Sequence, residues 1–416
     1  MSLAKKGGIV LAGIVLVLAM FVMWIWFKVQ VPENIENVTA APRGDVTLSE
    51  FYAPPASLPD NPGALIRHEE MVGDTVLANA GQSFRVLYSS TEGLGGADRS
   101  VVSGALFLPQ GEPPEGGWPL LVWSHGTVGI GDVCAPSFAG RSDRDLAYLN
   151  PWLEQGYAIA ASDYQGLGTP GTHPYMDART MAYNNLDLIR AVQASDFPLN
   201  DKVVVSGQSQ GATGALATGS FAARYAQDVE LGAVIATGIP HFSLAVVSDL
   251  ISNTDSNEVS ATLPLSLYML AMTEMLDPDF KLDEIVTDKA RPVVDTIGET
   301  CVFDFIGATT QAGLTSGNSF TSRPEFALYK TFSRAQISDL EFETPLFAGS
   351  GTLDKITPFS MQQAFVSDAC DAGLNITAIT YEGANHNEGL LQSTQDAQQF
   401  ANAILAGESL ESTCPG

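Results

Sequence analysis

The sequence predicts an α/β fold: a mostly parallel central sheet flanked by helices, with a mainly helical insertion late in the chain. Three observations carry this reading. Short runs of strand length, rich in apolar and β-branched residues, recur at residues 119–124, 202–206, 232–237, 344–350 and 376–381. The second of them leads through a glycine-rich turn into an Ala- and Leu-rich stretch without proline, residues 212–226, as a strand followed by a helix does. About a hundred residues separate the runs at 232–237 and 344–350, far more than a crossover of a dozen or more residues between parallel strands requires.

Taken in chain order, residues 9–27 come first, an apolar run preceded by Lys5 and Lys6 and closed by Trp24, Trp26, Phe27 and Lys28. Its length suits a membrane-spanning helix better than most signal-peptide cores, and the two lysines would hold the N-terminus in the cytoplasm. Residues 1–28 are thus expected to be a transmembrane anchor or a signal segment, so the chain is exported and either faces the periplasm or cell exterior from the membrane or is secreted after cleavage. Residues 29–62 contain six prolines and read as a stiff linker or a wrap on the domain surface. The core would then occupy residues 63–239 and 339–416, with the helical cap between them at 240–338.

The run at 119–124 reads as a buried strand that empties into His125-Gly126-Thr127-Val128-Gly129. Such a loop can present a backbone N–H to a developing oxyanion, and Thr127 is the expected donor. His125 is read as shaping this loop by bonding its backbone.

The most informative stretch is Gly207-Gln208-Ser209-Gln210-Gly211. A serine hydroxyl becomes a useful nucleophile only when a base takes its proton and the fold holds it clear of neighbours. A sharp strand-to-helix turn does this, and Gly207 and Gly211, lacking Cβ atoms, let strand and helix approach around Ser209. Gln210, next in the chain, would supply the second oxyanion N–H. This is the nucleophile elbow of an α/β-hydrolase fold, which calls for an acid and a histidine downstream in that order.

The insertion's most apolar segment, residues 263–276, carries Met269, Met272 and Met275. It reads as a buried helix or, given how easily thioethers repack, as an adaptable wall for an acyl chain. After the run at 344–350, the loop 352–358 offers Asp354 as the acid that would orient the base. The chain has five histidines, and only His386 lies near the C-terminus, just beyond the run at 376–381. Ser209 as nucleophile, Asp354 as orienting carboxylate and His386 as general base complete a triad.

Composition narrows the partners. With 47 acidic against 20 basic residues and a net charge of -27, the surface repels nucleic acid. No His or Cys spacing of the zinc type occurs, so neither a metal nor a cofactor is expected. Cys134, Cys301, Cys370 and Cys414 are an even set that suits an oxidising compartment, with three pairings open. The expected partners are a small-molecule or lipid ester, and a membrane through the N-terminal helix. A peptidase or acyltransferase on the same triad, or a non-catalytic hydrolase-like binding module, are the competing readings; the oligomeric state is left open.

Several stretches together resemble the secretory lipase family of α/β-hydrolases, the lipase A-type serine ester hydrolases. They are residues 51–55, 84–91 with 102–104, 124–131 with 134–137, 162–168 with 173–175, the elbow, and the Asp354 and His386 loops. The resemblance implies ester hydrolysis, on acylglycerols or smaller esters, through an acyl-enzyme on the serine. It favours pairing Cys134 with Cys301 and Cys370 with Cys414. Asp163 and Tyr164 fall in a matching motif and read first as structural loop residues. The insertion matches only in length and apolar character.

Overall fold

Nine strands form a single sheet in the computed structural model, which describes residues 43–95, 98–243, 257–322, 324–337 and 343–414. In chain order the elements are β1 (Leu65–Glu70), β2 (Ala80–Thr91), β3 (Arg99–Pro109), β4 (Trp118–Ser124), α1 (Asp143–Glu154), β5 (Ala158–Ser162), α2 (Ala178–Gln193), β6 (Leu199–Gln208), α3 (Gln210–Tyr225) and β7 (Leu231–Thr237). Then follow α4 (Thr262–Leu276), α5 (Val302–Gln311), α6 (Glu325–Ala335), β8 (Leu346–Gly351), α7 (Phe359–Asp371), β9 (Ile376–Tyr381) and α8 (His386–Leu405).

The spatial order is β1-β2-β3-β5-β4-β6-β7-β8-β9. The first three pairings are antiparallel and everything from β5 to β9 is parallel. The parallel strands have helices over both faces, so they are apolar throughout rather than alternating. Val203 to Val205 of β6 show the consequence: Val205 packs toward α2, α3 and α7, and Val204 toward α1 and α8. Trp123, Tyr148, Trp152 and Phe347 fill the second face, and all four are fully buried.

The chain leaves β4 for β5 on one side and returns past it to β6 on the other. At such a reversal of strand order a crevice opens beyond the carboxyl ends of the strands. The loops carrying Thr127, Ser209, Asp354 and His386 all leave carboxyl ends of parallel strands, β4, β6, β8 and β9 respectively.

Between β7 and β8 lie α4, α5 and α6 with shorter helical turns, gathered on their own apolar cluster around Leu267, Tyr268, Phe305 and Phe332. This layer is fastened to the sheet body at separate points. The Cys134–Cys301 disulfide joins it to the loop after β4, and Arg334 of α6 pairs with buried Asp177 at 2.5 Å. His241, at the start of the segment, meets Asp368 of α7 at 2.7 Å. The second disulfide, Cys370–Cys414, pins the C-terminal stretch to α7.

Residues 43–46 form a further tie. Arg43 bonds Glu274 of α4 at 2.9 Å, while the Val46 amide donates to Asp132 and the Asp132 amide to the Gly44 carbonyl. Gly44 runs so close to Gly298 that a Cβ on it would stand 2.3 Å from the Gly298 oxygen. Farther along, Phe51 and Tyr52 are buried against Leu87 and Val101, so the described part of the proline-rich stretch lies on the body. The apolar segment 1–28 lies outside the described residues, and none of the described helices is long and apolar enough to cross a membrane.

Two details differ from the sequence reading. The antiparallel β1–β3 edge adds three strands to the parallel set. Of the methionines on α4, Met269 lines a cavity, while Met272 and Met275 are buried in the helical layer; α4 is so apolar overall that its sequence gives little phase.

Candidate active site

Ser209 occupies the tip of the turn between β6 and α3, with φ 61° and ψ -124°. This is a sparsely populated conformation for a residue with a side chain, and it is held by the Ser209 amide on the Thr237 carbonyl at 3.1 Å and by the Ala212 amide on the Ser209 carbonyl at 2.9 Å. Both flanking glycines are sterically required. A Cβ on Gly207 would stand 2.0 Å from the Gly211 oxygen, and one on Gly211 1.8 Å from the Ser124 oxygen.

His386 opens α8, and its Nδ1 bonds Asp354 Oδ2 at 2.7 Å. Asp354 also accepts the Ile356 and Thr357 amides at 2.8 and 2.9 Å, the Thr357 hydroxyl at 2.8 Å and the Gln362 side chain at 3.1 Å. Burial alone would raise this carboxyl. The hydrogen bond and charge of His386 and the Thr357 donors outweigh it and hold Asp354 below the usual carboxylate range. The carboxylate is therefore ionised at neutral pH and fixes the Nδ1–H tautomer, leaving Nε2 of His386 to act on a proton.

Ser209, His386 and Thr127 line one cavity of about 510 Å³. No hydrogen bond joins Ser209 to His386, and free enzymes often close such pairs only around substrate. The Thr127 hydroxyl is tied to Tyr175 at 2.7 Å, which fixes the loop, and Val302 donates to the Val128 carbonyl at 2.8 Å. Gln210 is the first residue of α3, so its amide points from the positive end of a helix beside Ser209. Its side chain donates to His173 Nε2 at 3.0 Å. His173 in turn bonds the Gln165 carbonyl through Nδ1 at 2.9 Å, and burial lowers its pKa to about 4.

Supporting residues surround these, and Gly238 among them had no signal in the sequence. Gly238, at φ +55°, faces the imidazole: a Cβ there would meet His386 Cε1 at 3.0 Å. Gln208 donates to the His386 carbonyl at 3.1 Å. His125 stands with Nδ1 2.7 Å from the Gly126 carbonyl and Nε2 3.1 Å from the Asp163 carbonyl; burial lowers its pKa, and the neutral ring donates to one of the two, which braces the loop. Asp163 accepts from Ser103 at 2.7 Å and from the Ser137 amide at 2.9 Å, and the Tyr164 hydroxyl meets Ser124 at 2.7 Å; neither lines the Ser209 cavity. Among the described residues no cluster of three or more His, Cys, Asp or Glu is arranged to hold a metal ion.

A family model described as secretory lipase matches residues 139–410. Lipase 6 of Candida albicans is 24% identical over 308 residues, covering 68% of this chain; the match spans 64% of that lipase's length. Among solved structures, lipase A of Candida antarctica in its closed state superposes with a TM-score of 0.71 at 17% identity, covering 88% of this chain and 87% of that one. The rice cell wall degrading esterase LipA of Xanthomonas oryzae gives 0.64 at 20% identity, covering 83% and 97%. At these identities the structures speak for a shared α/β architecture.

Proposed function

We propose, from the premise that this chain belongs to the secretory lipase family, that it hydrolyses carboxylic esters of lipid type, with Ser209 as nucleophile, His386 as general base and acid, and Asp354 as the carboxylate that orients His386. The observation that carries the reading is the Asp354–His386 bond at 2.7 Å on the wall of a cavity that also holds Ser209 at its strained turn.

In this mechanism His386 Nε2 takes the Ser209 proton as the hydroxyl oxygen attacks the ester carbonyl. Charge moves to the carbonyl oxygen, where the Thr127 and Gln210 amides receive it, and Asp354 stabilises the imidazolium. His386 returns the proton to the departing alcohol, and water repeats the sequence on the acyl-enzyme. A second cavity of about 500 Å³, walled by Leu265, Met269, Phe332 and Met361, begins at Ser209 and would take the acyl chain. The inserted helices then serve as the cap over the site. An exported location follows from the family and from four cysteines joined in two disulfides.

The test is hydrolysis of p-nitrophenyl esters of graded acyl length by the full chain and by Ser209→Ala. Loss on the order of 10⁴- to 10⁶-fold in kcat is expected in the variant. Equal rates in the two proteins, or none in the folded wild type, would sink the reading.

A further inference from the structure

The two cavities that meet at Ser209 are not equivalent. His386, Asn385 and Asn387 line the first and are absent from the second, which is walled by α4, α6 and α7 residues. In an ester held at Ser209 the two halves diverge from the carbonyl, and the general acid must reach the leaving oxygen. The alcohol half therefore belongs in the cavity that His386 lines.

Lys355 stands at the seam, lining both cavities, exposed and without an ion pair among the described residues. The other cation of the alcohol side, Arg144, is already committed: its guanidinium bonds Asp145 at 2.7 Å and Asn387 at 3.4 Å. No aspartate or glutamate lines either cavity among the described residues, in a chain with 47 acids and 20 bases. Among the described residues, Lys355 thus brings a cation without an acidic partner to the walls of both cavities, inside a protein whose net charge is strongly negative. An anion near the ester would find attraction here and repulsion over the remainder of the molecule.

We propose that Lys355 is a specificity residue that selects esters whose alcohol half carries an anionic group, a carboxylate or a phosphate. This rests on the reading of Ser209 as nucleophile. Because the ammonium is solvated, its contribution is modest: about two- to fivefold in kcat/KM, the upper part of the range of an exposed ion pair.

The experiment uses octanoyl esters of three para-substituted phenols with matched ring acidity: hydroxyphenyl-propanamide, hydroxyphenyl-propanoate and hydroxyphenyl-ethyl phosphate. The readout is the ratio of kcat/KM for each anionic ester to that for the neutral amide, in wild type, Lys355→Gln and Lys355→Glu, at low and high salt. The proposal expects a wild-type ratio of about two to five that shrinks with salt, falls to one or below in Lys355→Gln and is lower still in Lys355→Glu. Comparing carboxylate with phosphate identifies which anion the site favours. A ratio near one in the wild type, or one that both variants leave unchanged, overturns it. If the neutral ester is cleaved no faster than by Ser209→Ala, the hydrolase reading has failed and takes this proposal with it.

Discussion

A histidine far from titrating at neutral pH supports the residue next to Ser209. His173 donates from Nδ1 to the Gln165 carbonyl, so its Nε2 must accept from the Gln210 side-chain Nε2, and only the neutral ring can do both. Burial lowers its pKa from 6.5 to about 4. The unfolded chain therefore takes up a proton near pH 6.5, whereas the folded protein does so only near pH 4. Stability is fully present above that window, falls as pH drops through it and is flat beneath it. The shift is worth about 3 kcal/mol. Subtracting the urea-midpoint curve of His173→Gln from that of the wild type between pH 7.5 and 4 should expose this slope; a flat difference would mean that His173 is not buried neutral. Ser209, His386 and Asp354 were legible because a glycine-flanked serine, the last histidine and a post-strand aspartate each have a local signature. His173 was not, because its role depends on Gln210, which is 37 residues away in sequence.

At the scale of elements, the parallel strands were readable because both of their faces are buried, which leaves uninterrupted apolar runs such as Val203 to Val205. β5 escaped notice: Ala158 to Ser162 is equally buried but built mostly from alanine, and small residues carry little strand preference. The turn after β7 was also silent. Gly238 there has a positive φ and sits 3.0 Å, measured from a notional Cβ, from the His386 ring. Gly238→Ala should push the imidazole from its position while the sheet survives. We expect kcat to fall about 10- to 100-fold with KM little altered, since misplacement by a fraction of an ångström costs orientation rather than binding. Unchanged kcat in a folded variant would show that the ring has room to move.

The whole molecule is a sheet body with a helical layer strapped to it. Its longest covalent strap is Cys134–Cys301, which closes a loop of 167 residues. Loop-closure arguments place the stabilisation on the order of 5 kcal/mol, an upper figure for such bridges. The double variant Cys134→Ser with Cys301→Ser should lower the urea midpoint. Amide exchange should also quicken in α4, α5 and α6 well before β4 to β7, because the bridge holds the layer and not the sheet. Uniform acceleration everywhere would mean that layer and sheet unfold as one unit.

The clasp at residues 43–46 has a mechanical meaning. Arg43 grips Glu274 in the helical layer and Gly44 and Val46 grip Asp132 in the sheet body, so residues 43–46 lie along the seam between these two parts. Tension applied to the chain ahead of Arg43 is delivered to that seam and not to a free loop. Pulling there loads the joint between the helical layer and the sheet body.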